Sequence, residues 1–443
     1  MEREFWNAEE AMSRHDINAL QIKKMRDQVA YLSHNSPYYQ RLFEKANISS
    51  EDFRTLEDLQ RLPFTDKYQV GDSQERNPPF GDILCVPERD IVKYFRTSGT
   101  TLEPRNFAYS AYDWWDLTVE MMVRLKYATG LRPDDRVFIA FPYSTFIALW
   151  TSHYACEKMG CMVIPGGGTS TKERLNLMRN MKVTALCATP TYAHHLAAVA
   201  QEEGIDRGEI PLRIIHTGGE PLAAVPGSRA RIEAIWDAKA FDSYGCNEGG
   251  CVAGGECIAQ DGLHVSEEVL IPEVIGENGE PVAPGGQGEL ILSNVASKTM
   301  PLLRFKTGDV VTYTDEPCAC GRQTIRIKVI GRTDDMILIK GTNVFPSGVE
   351  EMVKRCVELS NHFMIVIDEI DGQYELILQV EPADRDRFNP DEEEKVRGKL
   401  LDLFRENLRL KPVVQLMEHG SLPRFEVKAK RLIDKRKSKS LAL

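Results

Sequence analysis

A run of hydroxyl side chains around one glycine is the first feature of the chain that could do chemistry. The run Thr97-Ser98-Gly99-Thr100-Thr101 lies between two strand-like segments. Glycine lets the backbone turn close to an anion, and the surrounding N–H groups and hydroxyls can bind phosphate oxygens or help to hold Mg²⁺. The run therefore predicts a phosphate-binding loop, and an ordinary turn or a helix N-cap is the alternative.

Two further turns follow short apolar runs. The first is Gly218-Gly219-Glu220-Pro221, and the second holds Tyr244-Gly245 and, three residues later, Glu248. Paired glycines permit close backbone approach, Tyr244 offers a ring for stacking, and Glu248 offers a hard oxygen ligand for Mg²⁺. Each turn alone is also typical of a plain loop. Together with the hydroxyl run they predict a nucleotide site.

The elements that must position these residues form an α/β pattern. Residues 1–60 have the apolar spacing of amphipathic helices, and from residue 90 onward short apolar runs alternate with helix-like segments. The strand-like runs are 136–141, 162–165 and 185–188, and the helix-like segments are 114–128, 145–159 and 172–181. This alternation predicts a mainly parallel sheet covered on both faces, with ligands beyond the carboxyl ends of its strands.

Composition narrows the class of protein. The chain has 443 residues, 42% of them hydrophobic, and 66 acidic against 55 basic residues give a net charge of −11. This length predicts at least two domains, and the acidic balance argues against general binding to nucleic acid or a membrane surface. No secretory signal and no membrane-length apolar run are apparent, so we expect a cytoplasmic protein whose ten cysteines are reduced.

Six short motifs occur in a fixed order over most of the chain. They are the hydroxyl run, Gly-Gly-Glu-Pro, Tyr-Gly-x-x-Glu, Thr307-Gly308-Asp309, Gly331-Arg332 followed by Asp334-Asp335, and a late Pro-Arg-x-x-x-Lys that ends at Lys428. This ordered set resembles the adenylate-forming enzyme superfamily. Within it, the opening Phe5-Trp6-Asn7 and the segments 62–67 and 420–424 resemble the phenylacetate–coenzyme A ligase family.

The resemblance implies an activity and a role for each motif. It implies an ATP- and Mg²⁺-dependent ligase that forms an acyl-adenylate and then transfers the acyl group to the thiol of coenzyme A. Lys428 would act near the α-phosphate, Asp309 and Arg332 would bind ribose, and Tyr244 would stack on adenine. Domains would span 1–333 and 334–443, with a small mobile α+β C-terminal domain that rotates about Asp334 and brings Gly341 to the pantetheine arm. We also expect a homodimer.

The phosphate loop departs from the family pattern. Where the family usually has Thr-Gly-Lys-Pro, this chain has Thr101-Leu102-Glu103-Pro104, so a carboxylate replaces a cation. Arg105, one residue past the proline, could supply the missing charge as a bidentate donor.

Four metal-binding side chains gather in two turn-rich segments. Cys257 and His264 lie about 55 residues before Cys318 and Cys320, and three cysteines with one histidine fit a closed tetrahedral zinc site. Cys251 is a reserve ligand. The alternative is a set of buried thiols with a satisfied histidine.

The acyl pocket is expected between residues 141–146 and the turns at 216–219 and Tyr244. Phe141, Tyr143, Phe146 and Trp150 would supply its aromatic walls, although all four could equally be core residues. With no obvious second cation there, we expect a monocarboxylic, mostly apolar acid such as phenylacetate or a related aryl acid. Two alternatives remain, namely an adenylating enzyme that loads a carrier protein or an amine, and a non-catalytic nucleotide-binding protein.

Overall fold

The computed structural model describes residues 5–97, 103–141, 143–250, 252–340, 342–370, 373–384, 389–425 and 429–436. Seven residues of the predicted sites lie outside these ranges, namely Ser98, Gly99, Thr100, Thr101, Cys251, Gly341 and Lys428. In the described part of the chain, no helix combines the length and the apolar character needed to cross a bilayer.

The N-terminal part is helical, as its apolar spacing predicts. It contains α1 (Arg14–Asn35), α2 (Pro37–Ala46) and α3 (Lys67–Arg76). Ser13 caps α1 by accepting a hydrogen bond from the Asp16 N–H group. The apolar faces of α1 and α2 pack through Met25, Leu32 and Phe43 against residues of a later sheet. These helices therefore belong to the large domain.

A hairpin frames the predicted phosphate loop. Its strands are β1 (Ile91–Arg96) and β2 (Asn106–Ser110), which pair in antiparallel orientation from Ile91 to Arg96. A π-helical turn, Tyr112–Thr118, then leads into α4 (Val119–Ala128). The residues on either side of the predicted loop therefore belong to a strand pair that packs on the core through Phe95 and Phe107.

A five-stranded parallel sheet follows and confirms the predicted α/β architecture. Its elements are β3 (Arg136–Ile139), α5 (Ile147–Met159), β4 (Met162–Pro165), α6 (Thr171–Asn180), β5 (Ala185–Ala188), α7 (Pro190–Glu202), β6 (Ile214–Thr217), α8 (Pro226–Trp236) and β7 (Lys239–Phe241). The strand order is β4-β3-β5-β6-β7, and every pairing is parallel. Neighbouring strand residues such as Phe138 and Ile139 enter different core clusters, so both faces of the sheet are covered.

A second sheet of seven antiparallel strands packs beside the first. Its strands are β8 (Ser243–Tyr244), β9 (Gly254–Gly255), β10 (Leu263–Val265), β11 (Leu270–Ile275), β12 (Gln287–Asn294), β13 (Phe305–Thr314) and β14 (Arg326–Arg332). The order is β11-β12-β13-β14-β10-β9-β8. The sequence analysis predicted the parallel sheet and did not resolve this one. It matters for function because β8, β13 and β14 carry site residues.

The C-terminal segment has a hydrophobic core of its own. After the 3₁₀ turn Thr333–Asp335 come β15 (Ile337–Ile339), β16 (Thr342–Val344), α9 (Pro346–Lys354), β17 (Leu359–Ile370), β18 (Gln373–Pro382), α10 (Pro390–Leu408), β19 (Val413–Leu416) and β20 (Leu432–Asp434). The main sheet has the order β19-β18-β17-β20. Residues such as Val349, Phe363 and Phe404 form the core between this sheet and the two helices. This is the small α+β unit that the sequence analysis expected.

Candidate active site

Three of the predicted nucleotide-binding residues are joined by hydrogen bonds. Asp309 and Arg332 are direct register partners on β13 and β14, and Arg332 Nη1 lies 2.8 Å from Asp309 Oδ1. Tyr244 on β8 donates from its hydroxyl to Asp309 Oδ2 at 2.6 Å. Burial and the neighbouring Asp309 raise the pKa of Tyr244 well above its ordinary value, so the phenol remains a donor. The three residues thus form one connected unit on strands β8, β13 and β14 of the antiparallel sheet.

The turn that carries Gly218 and Glu220 is tied to the strand of Tyr244. Asp242, which ends the β7 segment, accepts hydrogen bonds from the N–H groups of Leu222 and Ala223, each at 2.8 Å. Burial raises the pKa of Asp242 to about 7. A Cβ added at Gly218 would lie 2.9 Å from Ser243 Oγ, so the close approach of the two segments requires glycine. Asp242 was missed because an aspartate after a strand gives no distinctive signal.

Glu220 connects the large domain to the C-terminal domain. Its Oε2 accepts a hydrogen bond from the Thr191 N–H group at 3.0 Å, and its Oε1 accepts one from the Ala429 N–H group at 2.7 Å. Burial raises the pKa of the Glu220 carboxyl, whereas these hydrogen bonds act in the opposite direction. In this arrangement both carboxylate oxygens are bound to backbone groups. Ala429 directly follows the predicted catalytic Lys428 in the chain.

Glu248, the predicted Mg²⁺ ligand, is half-buried close to the nucleotide residues. Burial raises the pKa of its carboxyl and repulsion by Asp309 adds to this, while Arg332 and Lys67 favour the charged form. A buried carboxylate of this kind gains from a nearby cation. The position is therefore chemically suited to the predicted role.

The base of the predicted phosphate loop is closed by two residues. The Arg105 N–H group donates to Thr97 Oγ1 at 2.8 Å, and the Thr97 N–H group donates to the Arg105 carbonyl at 3.0 Å. The Arg105 side chain lies against Gly71 of α3, with Nη1 3.8 Å from Glu75 Oε1. Arg105 thus already has a carboxylate partner and a packing role, which weakens the expectation that it replaces a phosphate-binding lysine. Glu103 is exposed.

The aromatic residues expected to line the acyl pocket occupy different environments. Phe141 is 8% exposed and belongs to the core cluster that also contains Phe138, whereas Phe146 is 47% exposed. Tyr143 and Trp150 contact each other edge to face, with ring centroids 4.9 Å apart. The Tyr143 hydroxyl lies 2.8 Å from His153 Nδ1. Tyr143 and Trp150 are therefore better candidates for a pocket wall than Phe141.

One cation near this aromatic group escaped the sequence analysis. Lys93 Nζ lies 4.8 Å from the ring centroid of Tyr154, and 5.4 Å from those of Trp114 and Trp150. Three ring faces within 6 Å hold the ammonium by cation–π attraction. A lysine on an alternating strand looks like a solvated residue, so only the fold reveals this contact.

The four predicted metal ligands come together in the structure. The ligand atoms of Cys257, His264, Cys318 and Cys320 all lie within 4.8 Å of one another. Cys257 Sγ is 3.7 Å from Cys318 Sγ, and Cys320 Sγ is 3.5 Å from His264 Nε2. The hydrogen bond with Cys257, supported by His264, lowers the pKa of Cys320 and favours a thiolate there. The cluster lies where the turn between β13 and β14 meets β10.

The predicted hinge residue is held by the large domain. Asp334 Oδ2 lies 2.8 Å from Lys67 Nζ at the start of α3, and 3.9 Å from Arg332 Nη2. Lys67 belongs to a segment that supported the family resemblance, but its role could not be read from the sequence. The pairing depends on a fold that brings residues 267 positions apart into contact.

Comparison with known proteins agrees with this geometry. The family model for AMP-binding enzymes matches residues 27–297, and the model for the AMP-binding enzyme C-terminal domain matches 341–436. The phenylacetate-coenzyme A ligase of Thermus thermophilus is 31% identical over 97% of this chain and 98% of its own length. The chain belongs to the phenylacetate–coenzyme A ligase family. The protein of the same name from Escherichia coli K12 is 30% identical over 96% of this chain and 97% of its own.

Solved structures also indicate how the two domains are arranged. The 2-hydroxyisobutyryl-CoA ligase in its postadenylation state with 2-HIB-AMP aligns with a TM-score of 0.92 at 27% identity, covering 100% of this chain and 94% of that one. The same ligase in its thioesterification state with 2-HIB-AMP and CoA covers 99% and 95% but gives a TM-score of 0.73. Both structures are of the same ligase and align at the same identity, so the difference in TM-score reflects a difference between its two conformations. The chain described here is thus more similar overall to the postadenylation structure than to the thioesterification structure.

Proposed function

We propose that this protein is an AMP-forming acid–coenzyme A ligase. It joins a carboxylic acid to the α-phosphate of ATP with release of pyrophosphate, and then transfers the acyl group to the thiol of coenzyme A with release of AMP. The observation that carries this proposal is the connected unit of Tyr244, Asp309 and Arg332, in a chain whose overall structure is similar to that of a CoA ligase in its postadenylation state.

The residues of this site can each be given a task in the first step. Asp309 accepts hydrogen bonds from the ribose hydroxyls, Arg332 fixes the orientation of Asp309, and Tyr244 lies against the adenine. The loop from Thr97 to Thr101 and the glycines 218 and 219 bind phosphate oxygens. Attack of a carboxylate on a phosphate brings like charges together, so the reaction depends on positioning and on charge neutralisation.

Two cations are needed for that neutralisation. Mg²⁺ would be held at Glu248, where the half-buried carboxylate suits a hard cation, and it supplies positive charge to the phosphates. Lys428 would supply the second charge. Its neighbour Ala429 is anchored to Glu220 in the large domain, which supports delivery of the lysine to this side of the site.

The second step would use a different placement of the C-terminal domain. We propose that the domain boundary lies at Thr333–Asp335 and that rotation occurs about Asp334, which brings Gly341 toward the pantetheine arm. The separate core of the C-terminal segment supports independent movement. The homodimer also remains our proposal, and light scattering of the purified protein tests it.

The acid is proposed to be a monocarboxylic, mostly apolar compound such as phenylacetate or a related aryl acid. Tyr143 and Trp150 offer aromatic surface, and the charge of Lys93 is already held by three ring faces. Two curated relatives that are phenylacetate-coenzyme A ligases, at 31% and 30% identity, support this class.

The deciding experiment is a screen of acids for pyrophosphate release, with and without coenzyme A. We expect an aryl or arylacetic acid to give the highest rate and coenzyme A to be required for turnover. Preference for a dicarboxylate or an amino acid would overturn the pocket assignment. Release that does not depend on coenzyme A would favour a carrier protein or an amine as acceptor, and ATP binding without release would indicate a non-catalytic protein.

The cysteine cluster is proposed to hold a structural zinc ion. Zinc with bonds of about 2.3 Å to sulfur and about 2.0 Å to nitrogen places tetrahedral ligands about 3.8 Å apart for two sulfurs and about 3.5 Å apart for sulfur and nitrogen. The two contacts of 3.7 Å and 3.5 Å agree with these edges, and the first is far too long for a disulfide. His264 Nδ1 lies 2.8 Å from Thr324 Oγ1, which orients the ring with Nε2 toward the sulfurs.

A further inference from the structure

Helices α8 and α9 meet across the boundary between the domains, and each supplies a charged side chain to one end of the other. Arg231 of α8 donates from Nη2 to the carbonyl of Cys356 at 2.6 Å and to that of Val353 at 3.5 Å, where α9 ends. Glu351 of α9 accepts a hydrogen bond at 2.9 Å from the N–H group of Gly227, in the first turn of α8. Both contacts place a charge at the helix end whose dipole it complements.

Arg231 makes further hydrogen bonds to the C-terminal domain. Its Nη1 donates to the Leu359 carbonyl at 3.2 Å and to Asn361 Oδ1 at 3.1 Å, so one guanidinium reaches four acceptors in the C-terminal domain. The planar fork of arginine suits this divergent set, whereas lysine would satisfy fewer acceptors. Burial lowers the pKa of Arg231 from its usual value, as expected for a cation taken out of water.

A second anchor lies closer to the nucleotide residues. Glu220 binds the N–H groups of Thr191 and Ala429, and Arg431 Nη2 donates to Thr191 Oγ1 at 3.4 Å. The polypeptide from Ala429 to Arg431 is thereby fixed against the turn that follows β6. Rotation of the C-terminal domain would break the contacts of Arg231 and the contact of Glu220 with Ala429, because these partners belong to the moving part.

We infer that Arg231 and Glu220 are positioning residues for the adenylation half-reaction, which they serve by holding the C-terminal domain in the arrangement seen here. Neither side chain needs to touch the reacting atoms. The inference rests on the proposed ligase function. Their contacts belong to the postadenylation arrangement, so losing them should slow the formation of the acyl-adenylate and spare the transfer to coenzyme A.

The test separates the two half-reactions in the full-length protein. Arg231→Ala and Glu220→Gln should reduce pyrophosphate release from ATP and the preferred acid by about 10- to 100-fold, since each removes hydrogen bonds to a charged group. Reaction of a synthetic acyl-adenylate with coenzyme A should change by less than about twofold. Arg231→Lys should recover part of the lost rate. Equal loss in both half-reactions, or no loss in either, would overturn the inference.

Arg229→Ala is the matched control on the same helix. Arg229 binds Glu256 within the large domain, with Nη2 2.7 Å from Glu256 Oε1, so its loss should weaken the fold and lower both half-reactions together.

Small-angle scattering with AMP gives a readout that does not depend on activity. Arg231→Ala should increase the radius of gyration relative to the wild type, and an unchanged radius would contradict the inference. If the wild type released no pyrophosphate but Arg231→Ala still increased the radius of gyration, the ligase function would be refuted while the role of Arg231 in holding the domain would stand.

Discussion

Lys67 Nζ lies 2.8 Å from Asp334 Oδ2, so a side chain at the start of α3 holds the residue about which the C-terminal domain is proposed to rotate. The two side chains are 29% and 39% exposed. An ion pair this accessible stabilises weakly and is screened by salt. It can therefore bias the domain arrangement without locking it.

Replacing Lys67 with methionine should slow adenylation by about two- to fivefold, because an exposed ion pair contributes less than about 1 kcal/mol. The wild-type rate should fall toward that of the variant as the salt concentration rises, and the variant should respond less. Stopped-flow measurement of pyrophosphate release at several ionic strengths checks both points. The same salt dependence in both proteins would show that the pair has no role.

Lys428→Ala should abolish adenylate formation from acid and ATP, yet largely spare the thiolysis of a supplied acyl-adenylate, because the lysine serves only the first half-reaction. Assays of the two half-reactions, run side by side, check this. Lys430→Ala is a suitable control two residues away. Equal loss in the two steps would mean that Lys428 has a structural role or that the late motif is misplaced.

Tyr244→Phe should weaken ATP binding by about tenfold, since it removes a hydrogen bond to a charged carboxylate while keeping the ring. Asp309 would keep Arg332 but lose the partner that fixes its second oxygen. Calorimetric titration with ATP gives the affinity directly. An unchanged affinity would indicate that Arg332 alone orients the aspartate.

Purified protein should contain one zinc ion per chain, bound by Cys257, His264, Cys318 and Cys320. Removal by a chelator should lower the melting temperature, because binding energy at a structural zinc site contributes to folding. Elemental analysis and thermal denaturation with and without chelator provide the measurements. Protein that lacks zinc and is indifferent to chelator would support the alternative of buried thiols.

Lys354 should make stability depend on pH. Burial lowers its pKa to about 7, an effect to which Arg431 and Arg231 add, while Glu350 and Glu220 oppose it. Between that value and the ordinary 10.5, the unfolded chain binds more protons than the folded one, so stability rises with pH across this window. Below pH 7 the full destabilisation applies, on the order of 5 kcal/mol at most.

The free energy of unfolding should therefore rise more steeply from pH 7 to pH 10 in the wild type than in Lys354→Met. Denaturant titrations at four or five pH values give both slopes, and the difference between the proteins removes the contribution of all other groups. Equal slopes in the two proteins would show that folding does not lower the pKa of Lys354.

Residues of the candidate site were predicted where they belong to short motifs. Asp309, Arg332 and Tyr244, which the structure joins by hydrogen bonds, were predicted from their motifs, and the four candidate metal ligands were predicted from residue types that are uncommon together. Arg231, Glu351 and Asp242 were not, because each acts through a backbone group or a helix end that exists only after folding. Phe141 shows where the sequence left two interpretations open. An aromatic residue after a strand suits a pocket and a core equally, and its packing was decided by neighbours distant in the chain.

The parallel sheet could be predicted from the sequence, whereas the antiparallel sheet could not. The strands of the parallel sheet are continuous apolar runs separated by helices, which leaves little choice of architecture. The antiparallel sheet contains β8 and β9, each two residues long. Strands so short carry no periodic signal, and their pairing is set by register contacts with β10 and by the turns between them.

The hairpin of β13 and β14 carries the cysteine turn at one end and the Asp309–Arg332 pair at the other. A slip of one residue in this pairing would turn Arg332 to the opposite face of the sheet. If the proposed zinc ion holds Cys318 and Cys320, it also fixes the turn and thereby the alignment of the two strands at the Asp309–Arg332 end. We therefore expect substitutions in this turn to alter nucleotide affinity even when every residue proposed to contact the nucleotide is unchanged.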